Sequence, residues 1–195
     1  LAFAHKYNNN NNVCITYFGD GAANQGQVYE SYNIASLWQL PVIFVIENNK
    51  YGMGTSVNRS SAGDNLSDRG KAYGIKSEIV DGMDIIAVRE AAIKAIEYCR
   101  LGKGPYILEM KTYRYRGHSM SDPAKYRTRD EVEQIRKTSD PIENIKVLLN
   151  KMGVVDKVLK DIDVEIKSII ADAAKFAQDS PEPSPSELYT DITIN

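Results

Sequence analysis

Cysteine, histidine and tryptophan are scarce in this chain: two, two and one among 195 residues. Two cysteines allow at most one disulfide. Cys14 lies in an apolar run and Cys99 in a helical pattern, so both read as small hydrophobes of a reducing compartment and not as a pair. Long hydrophobic runs are also lacking. The longest unbroken aliphatic and aromatic stretch is "VIFVI" at 42–46, far short of a membrane span, and no secretory signal pattern opens the chain. Neither sign of charge dominates. With 24 Lys and Arg against 26 Asp and Glu, the formal net charge of -2 gives no global field for nucleic acid or an anionic membrane, and any basic site has to be local. What the chain does have is 43% hydrophobic residues, enough at this length for one sizeable core.

The opening "LAFAHKY" reads as the last turns of a helix and runs into Asn8–Asn12, a solvated loop insertion, so the expectation is the C-terminal portion of a longer subunit. Val13–Phe18 is β-branched and aromatic, and Val42–Glu47 reads as a strand buried on both faces. Between them Val28, Tyr32, Ala35 and Trp38 recur at helical spacing, and Pro41 marks the return, which makes a β-α-β unit. A strand at Lys76–Val80, a helix over Ile85–Arg100 and a strand at Tyr106–Thr112 follow. The fold class is therefore α/β, a mostly parallel sheet flanked by helices, with ligands expected beyond the carboxyl ends of the strands. From Thr128 the pattern turns helical. Thr128 with Glu131, and Asp140-Pro141 with Glu143, look like capped helix starts. A long amphipathic helix over Val155–Gln178 carries Leu159, Ile162, Ile166, Ile169, Ala173 and Phe176 on one side, for the core or a subunit contact, and "SPEPSPSE" supplies an extended tail.

One stretch poses a chemical problem. "CITYFGDGAANQGQ" runs a strand into Gly19-Asp20-Gly21, an acid at a place where α/β folds bind phosphates. A dinucleotide reading nearly fits, since "GDGAAN" approaches G-x-G-x-x-G and Glu47 imitates the ribose-binding acid. But its sixth position is Asn24, and Asp20 would face a pyrophosphate unneutralised. A divalent cation between the two removes the conflict. Magnesium takes about six oxygens, one or two of them from carboxylates and others from phosphate and water. Asn48-Asn49 end the next strand, with 26 residues between Gly21 and Asn48, and offer uncharged oxygens; Gly21 and Ala22 open the helix, with N–H groups for a diphosphate.

G-D-G followed some two dozen residues later by N-N resembles the thiamine diphosphate enzymes. The longer stretches "GDGAANQGQVYESYNIASLWQLPVIFVIENNKYGMGTSV" and "TYRYRGHSMSDP" are similar to alpha subunits of the thiamine diphosphate-dependent 2-oxo acid dehydrogenase family, the pyruvate-directed members above all. The resemblance runs from Val13 to the tail and implies a thiamine diphosphate-binding fold with a C-terminal helical extension. Its boundaries are a diphosphate-binding α/β domain at 1–127 with its N-terminal part missing, a helical extension at 128–179 and an extended tail at 180–195. It implies Asp20 and Asn49 as side-chain ligands of magnesium, with the Tyr51 carbonyl as a third. Gly19, Gly21 and Ala22 would surround the diphosphate, and His118 would be the catalytic loop histidine that reaches it. Asn48 shapes the turn. Other cofactor ligands belong to a part of such subunits before Leu1.

The activity so implied is oxidative decarboxylation of pyruvate, with the acetyl group passed to the lipoyl group of the dihydrolipoamide acetyltransferase for acetyl-CoA synthesis. The partner is the pyruvate dehydrogenase beta subunit, in an alpha-two beta-two heterotetramer, which supplies the carboxylate that starts the chemistry. Branched-chain 2-oxo acid and acetoin dehydrogenases are the nearest alternatives, and a non-catalytic interaction fragment is another. Ser119, next to His118, matches a regulatory phosphorylation site of mitochondrial members and Ser56 sits where a third such serine lies, but the second loop serine is missing and Lys125 stands in that shorter loop. That departure leans toward a bacterial cytoplasm over a mitochondrial matrix. A reading of another class rests on Lys111, Arg114, Arg116, Lys125, Arg127 and Arg129 interleaved with Tyr113, Tyr115 and Tyr126, a single-strand nucleic-acid stripe interrupted by Asp122, Asp130 and Glu131.

Overall fold

The structure, a computed structural model, describes residues 1–63 and 65–191. It forms two compact units, Leu1–Ile145 and Lys146 onward. In the first, helix α1 (Ala2–Tyr7) precedes strand β1 (Cys14–Gly19), helix α2 (Gly26–Leu37) and strand β2 (Val42–Asn48). A small hairpin of β3 (Tyr51–Gly52) and β4 (Thr55–Ser56), the short helix α3 (Val57–Ser60) and a 3-10 helix at Leu66–Tyr73 lead to β5 (Lys76–Asp81), α4 (Ile85–Arg100) and β6 (Tyr106–Lys111). The sheet runs in the order β1-β2-β6-β5, parallel throughout. Parallel pairing forces each connection to cross a face of the sheet, which is why both faces are covered and β2 and β6 are apolar almost without interruption.

Alternation along the strands divides the core in two. Val42, Phe44, Ile46 and Ile107 face α2 and the 3-10 helix, where the Tyr32 ring stands edge-on to Phe44 at 4.8 Å. Ile43, Val45, Tyr106, Leu108 and Met110 face α4, which meets them with Ala91, Ala95 and Cys99, four residues apart on one stripe. Each fully buried aliphatic side chain here contributes about 1.5–3 kcal/mol. Helix α4 is set by Asp84, whose side chain accepts from the Ile86 and Ala87 N–H groups at 2.8 and 3.1 Å. Cys99 is buried and Cys14 half-buried, and neither is in a disulfide; burial pushes the Cys99 thiol up to about 11.

The register places Gly19, Glu47-Asn48 and Lys111 at one end of the sheet. Bonds beyond the strands hold that end together: Thr112 N–H donates to the Asn48 carbonyl and Gly82 N–H to that of Lys111, both at 2.9 Å.

Three features differ from the sequence reading. The turn after β1 does not open α2. Gly21 precedes a 3-10 turn, Ala22–Asn24, and Gln25 is extended (ψ 142°) before the helix starts at Gly26. The second unit takes in the end of α6 (Pro141–Lys151), which follows α5 (Arg129–Ser139), and α7 (Asp156–Asp179). Gly153, at φ +91°, ends α6 in the left-handed conformation that suits glycine. In α7, Ile162, Ile166, Ile169 and Phe176 are exposed and do not form a core. The segment expected to be an extended tail turns once, as a 3-10 helix at Pro185–Tyr189; its residues 192–195 lie outside the described residues. The first unit runs on to Ile145 because Tyr113 and Tyr115 donate to Glu131 and Asp140 at 2.8 and 3.0 Å, tying α5 to the end of the sheet. No helix among the described residues is long and apolar enough to cross a membrane.

Candidate functional site

Asp20 follows the last residue of β1 and is 2% exposed. Its Oδ2 is buried without a hydrogen-bond partner. Burial raises its pKa, and the nearby backbone N–H groups of Asp20 and Asn49, with the charge of Arg114, offset this only in part. An ionised oxygen left so is costly and attracts a cation. The surroundings are open on one side and tight on the other. Nothing lies within 4 Å of where a Cβ on Gly19 would stand, whereas a Cβ on Gly52 would stand 3.3 Å from Gly21 Cα and 3.6 Å from Asp20 Oδ2. The β3-β4 hairpin thus packs backbone to backbone against the Asp20 turn, which only glycine at 52 allows without a shift.

Asn48 and Asn49 part company at the end of β2. Asn48 is buried and turns its amide inward, donating to Glu109 at 2.9 Å. Asn49 is half-buried, its backbone N–H donates to the Glu47 carbonyl at 3.1 Å and lies near the Asp20 carboxylate, and its side-chain oxygen accepts from the Tyr51 N–H at 3.3 Å. Lys50 between them adopts φ +75°, a conformation held by the side-chain oxygen of Asn48, which accepts its N–H at 3.2 Å. Asp20 and Asn49 are therefore near one another, and Gly52, the residue after Tyr51, packs on the same Asp20 turn. Among the described residues no group of three or more His, Cys, Asp or Glu gathers. A cation held here would meet one carboxylate, an amide and a carbonyl oxygen, a donor set that suits magnesium when phosphate completes the shell.

Residues 113–128 wrap this end of the sheet. Arg114 is the hub: Nη2 donates to the Met53 carbonyl at 2.6 Å and to the Tyr126 hydroxyl at 2.8 Å. Its Nη1 lies 3.5 Å from both the Tyr51 carbonyl and His118 Nδ1. His118 is exposed, and its N–H donates to Asp122 Oδ2 at 2.7 Å. Asp122 also accepts from the Ala124 N–H and the Tyr126 hydroxyl, each at 2.8 Å. Its carboxyl is held below the usual range by the His118 and Ala124 N–H groups first. Gly117 is obligatory in this turn, since a Cβ there would meet the Asp122 carbonyl at 2.6 Å. Arg127 donates to the carbonyls of Arg114 and Arg116. Ser119 is exposed, its hydroxyl 3.1 Å from that of Ser121. Ser56 precedes α3 and lines a pocket of about 250 Å³ with Lys50 and Lys111.

The model of the "Dehydrogenase E1 component" family matches residues 1–186. The chain belongs to the dehydrogenase E1 component family. Over 195 residues it is 60% identical to the pyruvate dehydrogenase E1 component subunit alpha of Rhizobium meliloti (strain 1021), covering 100% of this chain and 56% of that one. The same subunit of Zymomonas mobilis is 55% identical over 194 residues, covering 100% and 55%. The mitochondrial subunit of Dictyostelium discoideum is 54% identical over 198 residues, covering 100% and 52%. The chain spans about half the length of the curated relatives it matches. Membership of this E1 family implies thiamine diphosphate.

In the E1 chain part of the basic stripe of the loop is engaged internally, while Arg116, Lys125 and Arg129 are exposed. Arg114 and Arg127 serve carbonyls, Lys111 lies 2.6 Å from Glu109, and Tyr113 and Tyr115 are tied to α5 and α6. Those rings and cations are not free to stack on bases and track phosphates. Glu47, the acid of the dinucleotide reading, is exposed at the end of β2, while Asn48 beside it faces the core. Sequence reasoning missed Gly52, Asp122 and Glu109. The last had a signal: an acid inside the otherwise apolar "YILEM" is a buried charge, and a buried charge needs partners.

Proposed function

We propose that this chain is the diphosphate- and cation-holding part of a pyruvate dehydrogenase alpha subunit, working with a beta subunit and handing the acetyl group to the lipoyl group of dihydrolipoamide acetyltransferase. The observation that carries the site is the buried, unpartnered Oδ2 of Asp20 with the Asn49 backbone near it. The substrate comes from the relatives, which are named for pyruvate.

Asp20 Oδ2, the Asn49 side-chain oxygen and the Tyr51 carbonyl hold magnesium, and the cation lets an acid stand beside a diphosphate. Gly19 leaves room for close approach, and the N–H groups of Gly21 and Ala22, at the start of the 3-10 turn, take the diphosphate oxygens. His118, on the exposed side of the loop and beside Arg114, is the catalytic candidate of this chain and reaches the same diphosphate. Bound thiamine diphosphate supplies the electron sink for decarboxylation of a 2-oxo acid. These residues anchor one end of it rigidly, which aims the other. The carboxylate that starts the reaction comes from the beta subunit. A phosphate on exposed Ser119, next to His118, would put nearly two negative charges at the diphosphate and beside Asp122; Ser56 is a second candidate for modification. The setting we assign is bacterial cytoplasm, with the mitochondrial matrix as the alternative.

Carbon dioxide release by the full-length subunit co-expressed with its beta partner tests this, with pyruvate and with a branched 2-oxo acid, each with and without magnesium and thiamine diphosphate. The expected result is turnover of pyruvate that needs both cofactors. Release from the branched acid alone overturns the substrate and keeps the site; release without magnesium overturns the site.

A further inference from the structure

Glu109 lies inside β6 and is 0% exposed. An apolar side chain would fill that place without the cost of burying a carboxylate. Each of its partners sits on a different segment. Oε1 accepts from Asn48 Nδ2 at 2.9 Å and lies 2.6 Å from Lys111 Nζ, and Oε2 accepts the Ser67 N–H at 2.8 Å. Burial alone would raise its pKa, but the bonds from Lys111, Asn48 and Ser67 outweigh burial and hold the group below its ordinary value.

These bonds decide which way the neighbouring groups face. With its nitrogen pinned to Glu109, the Asn48 amide presents oxygen to the Lys50 N–H at 3.2 Å and so holds the φ +75° turn that delivers Asn49 and Tyr51. On the other side, Ser67 lies in the first turn of the 3-10 helix Leu66–Tyr73. Arg69 of that helix donates to the Ala23 carbonyl at 2.8 Å, within the turn that follows Asp20 and Gly21. One carboxylate thus reaches both turns of the site while touching neither Asp20 nor Asn49.

We infer that Glu109 is a positioning residue of the cation site: through Asn48, and through the segment Ser67–Arg69, it keeps the Asn49–Tyr51 turn in register with the Asp20–Ala23 turn. This rests on the cation-site reading proposed above.

The test is Mn²⁺ binding, followed by electron paramagnetic resonance with thiamine diphosphate present, to the full-length subunit assembled with its beta partner. The proteins are wild type, Glu109→Gln, Asn48→Asp and the double variant. Glutamine accepts at one end only, so at 109 it cannot serve both Ser67 and Asn48: with its oxygen toward Ser67 it turns the Asn48 nitrogen toward the Lys50 N–H, and with its oxygen toward Asn48 and Lys111 it leaves the Ser67 N–H without an acceptor. The double variant moves the acid across the contact. The aspartate at 48 accepts from the glutamine at 109 and from the Lys50 N–H, and the glutamine oxygen remains for Ser67. Glu109→Gln should weaken Mn²⁺ binding at least about tenfold, the scale of losing an outer-shell partner. The double variant should recover to within about threefold of wild type. Should Glu109→Gln not assemble, Asn48→Asp, which sets two carboxylates face to face, gives the same comparison: weakened alone, restored by glutamine at 109. Thermal midpoints that fall in the variants while Mn²⁺ affinity stays at the wild-type value overturn the inference, because a residue that only supports the fold would do that. Wild type that binds no Mn²⁺ overturns the site reading and the inference together; wild type that binds it, with affinity unchanged in Glu109→Gln, overturns the inference alone.

Discussion

Asp20 carries a stability cost that the metal-free protein has to bear. Burial raises its pKa, with the backbone N–H groups of Asp20 and Asn49 and the charge of Arg114 pulling back only in part. A native value above the unfolded one means that the folded state holds the proton more tightly. The associated stability is complete below the unfolded value of about 4 and is lost as the pH rises through the raised native value. Asp20→Asn should therefore stabilise the metal-free assembly near pH 7 by about 1 kcal/mol, with the difference shrinking as the pH falls toward 4. Thermal midpoints of wild type and variant across that range measure it; a variant less stable than wild type at pH 7 would mean that the carboxylate is already compensated. Gly52 sets the opposite kind of limit. A methyl group at 52 meets Gly21 Cα at 3.3 Å, so Gly52→Ala should lever the hairpin off the Asp20 turn. Mn²⁺ binding should weaken about tenfold, and unchanged binding would show that the hairpin can yield without disturbing the ligands.

Among the elements, the four sheet strands and α2, α4, α5, α6 and α7 were legible in the residues, because each is long enough to show its period. The β3-β4 hairpin was not, since strands of two residues have no period to read, and the 3-10 helix at Leu66–Tyr73 shows no period of 3.6. Capping was legible at Thr128 and Asp140, whose side chains accept from the Glu131 N–H and from the Ile142 and Glu143 N–H groups. The same physics at Asp84 gives a control. Asp84→Ala removes two bonds from the start of α4 and should cost about 1 kcal/mol in thermal unfolding while leaving Mn²⁺ binding at the wild-type level. Loss of both would mean that α4 is coupled to the site. The loop at 113–128 depends on Asp122 in the same way. Asp122→Asn weakens acceptance from the His118 and Ala124 N–H groups, and tryptic cleavage after Lys125 at pH 7 should accelerate; an unchanged cleavage rate would show that Arg114 and Arg127 alone hold the loop.

For the molecule as a whole, the sequence pointed to Asp20 and Asn49 as a proposed site but not to the contacts around them. Asp20 between glycines, and the two asparagines after the next strand, are local patterns with an electrostatic reason. Glu109, Ser67 and Arg69 act through contacts between residues 42 to 61 positions apart, or 46 for Arg69 and Ala23, and no local pattern encodes those. The chain also spans about half the length of its relatives, and on our account it lacks the acid that starts the reaction. The isolated subunit should release no carbon dioxide from pyruvate, and release without the beta partner would refute that division of labour.

In the function proposed here, oxygens of Asp20, Asn49 and Tyr51 hold a divalent cation that in turn holds a diphosphate. Calorimetric titration of thiamine diphosphate into the assembled full-length protein tests it most directly, with magnesium and with a chelator, for wild type and for Asp20→Asn. Wild type should lose about a hundredfold in affinity when magnesium is removed, and Asp20→Asn with magnesium should bind no better than wild type without it. Equal affinity with and without the metal, or an Asp20→Asn variant that still gains from magnesium as wild type does, would contradict it.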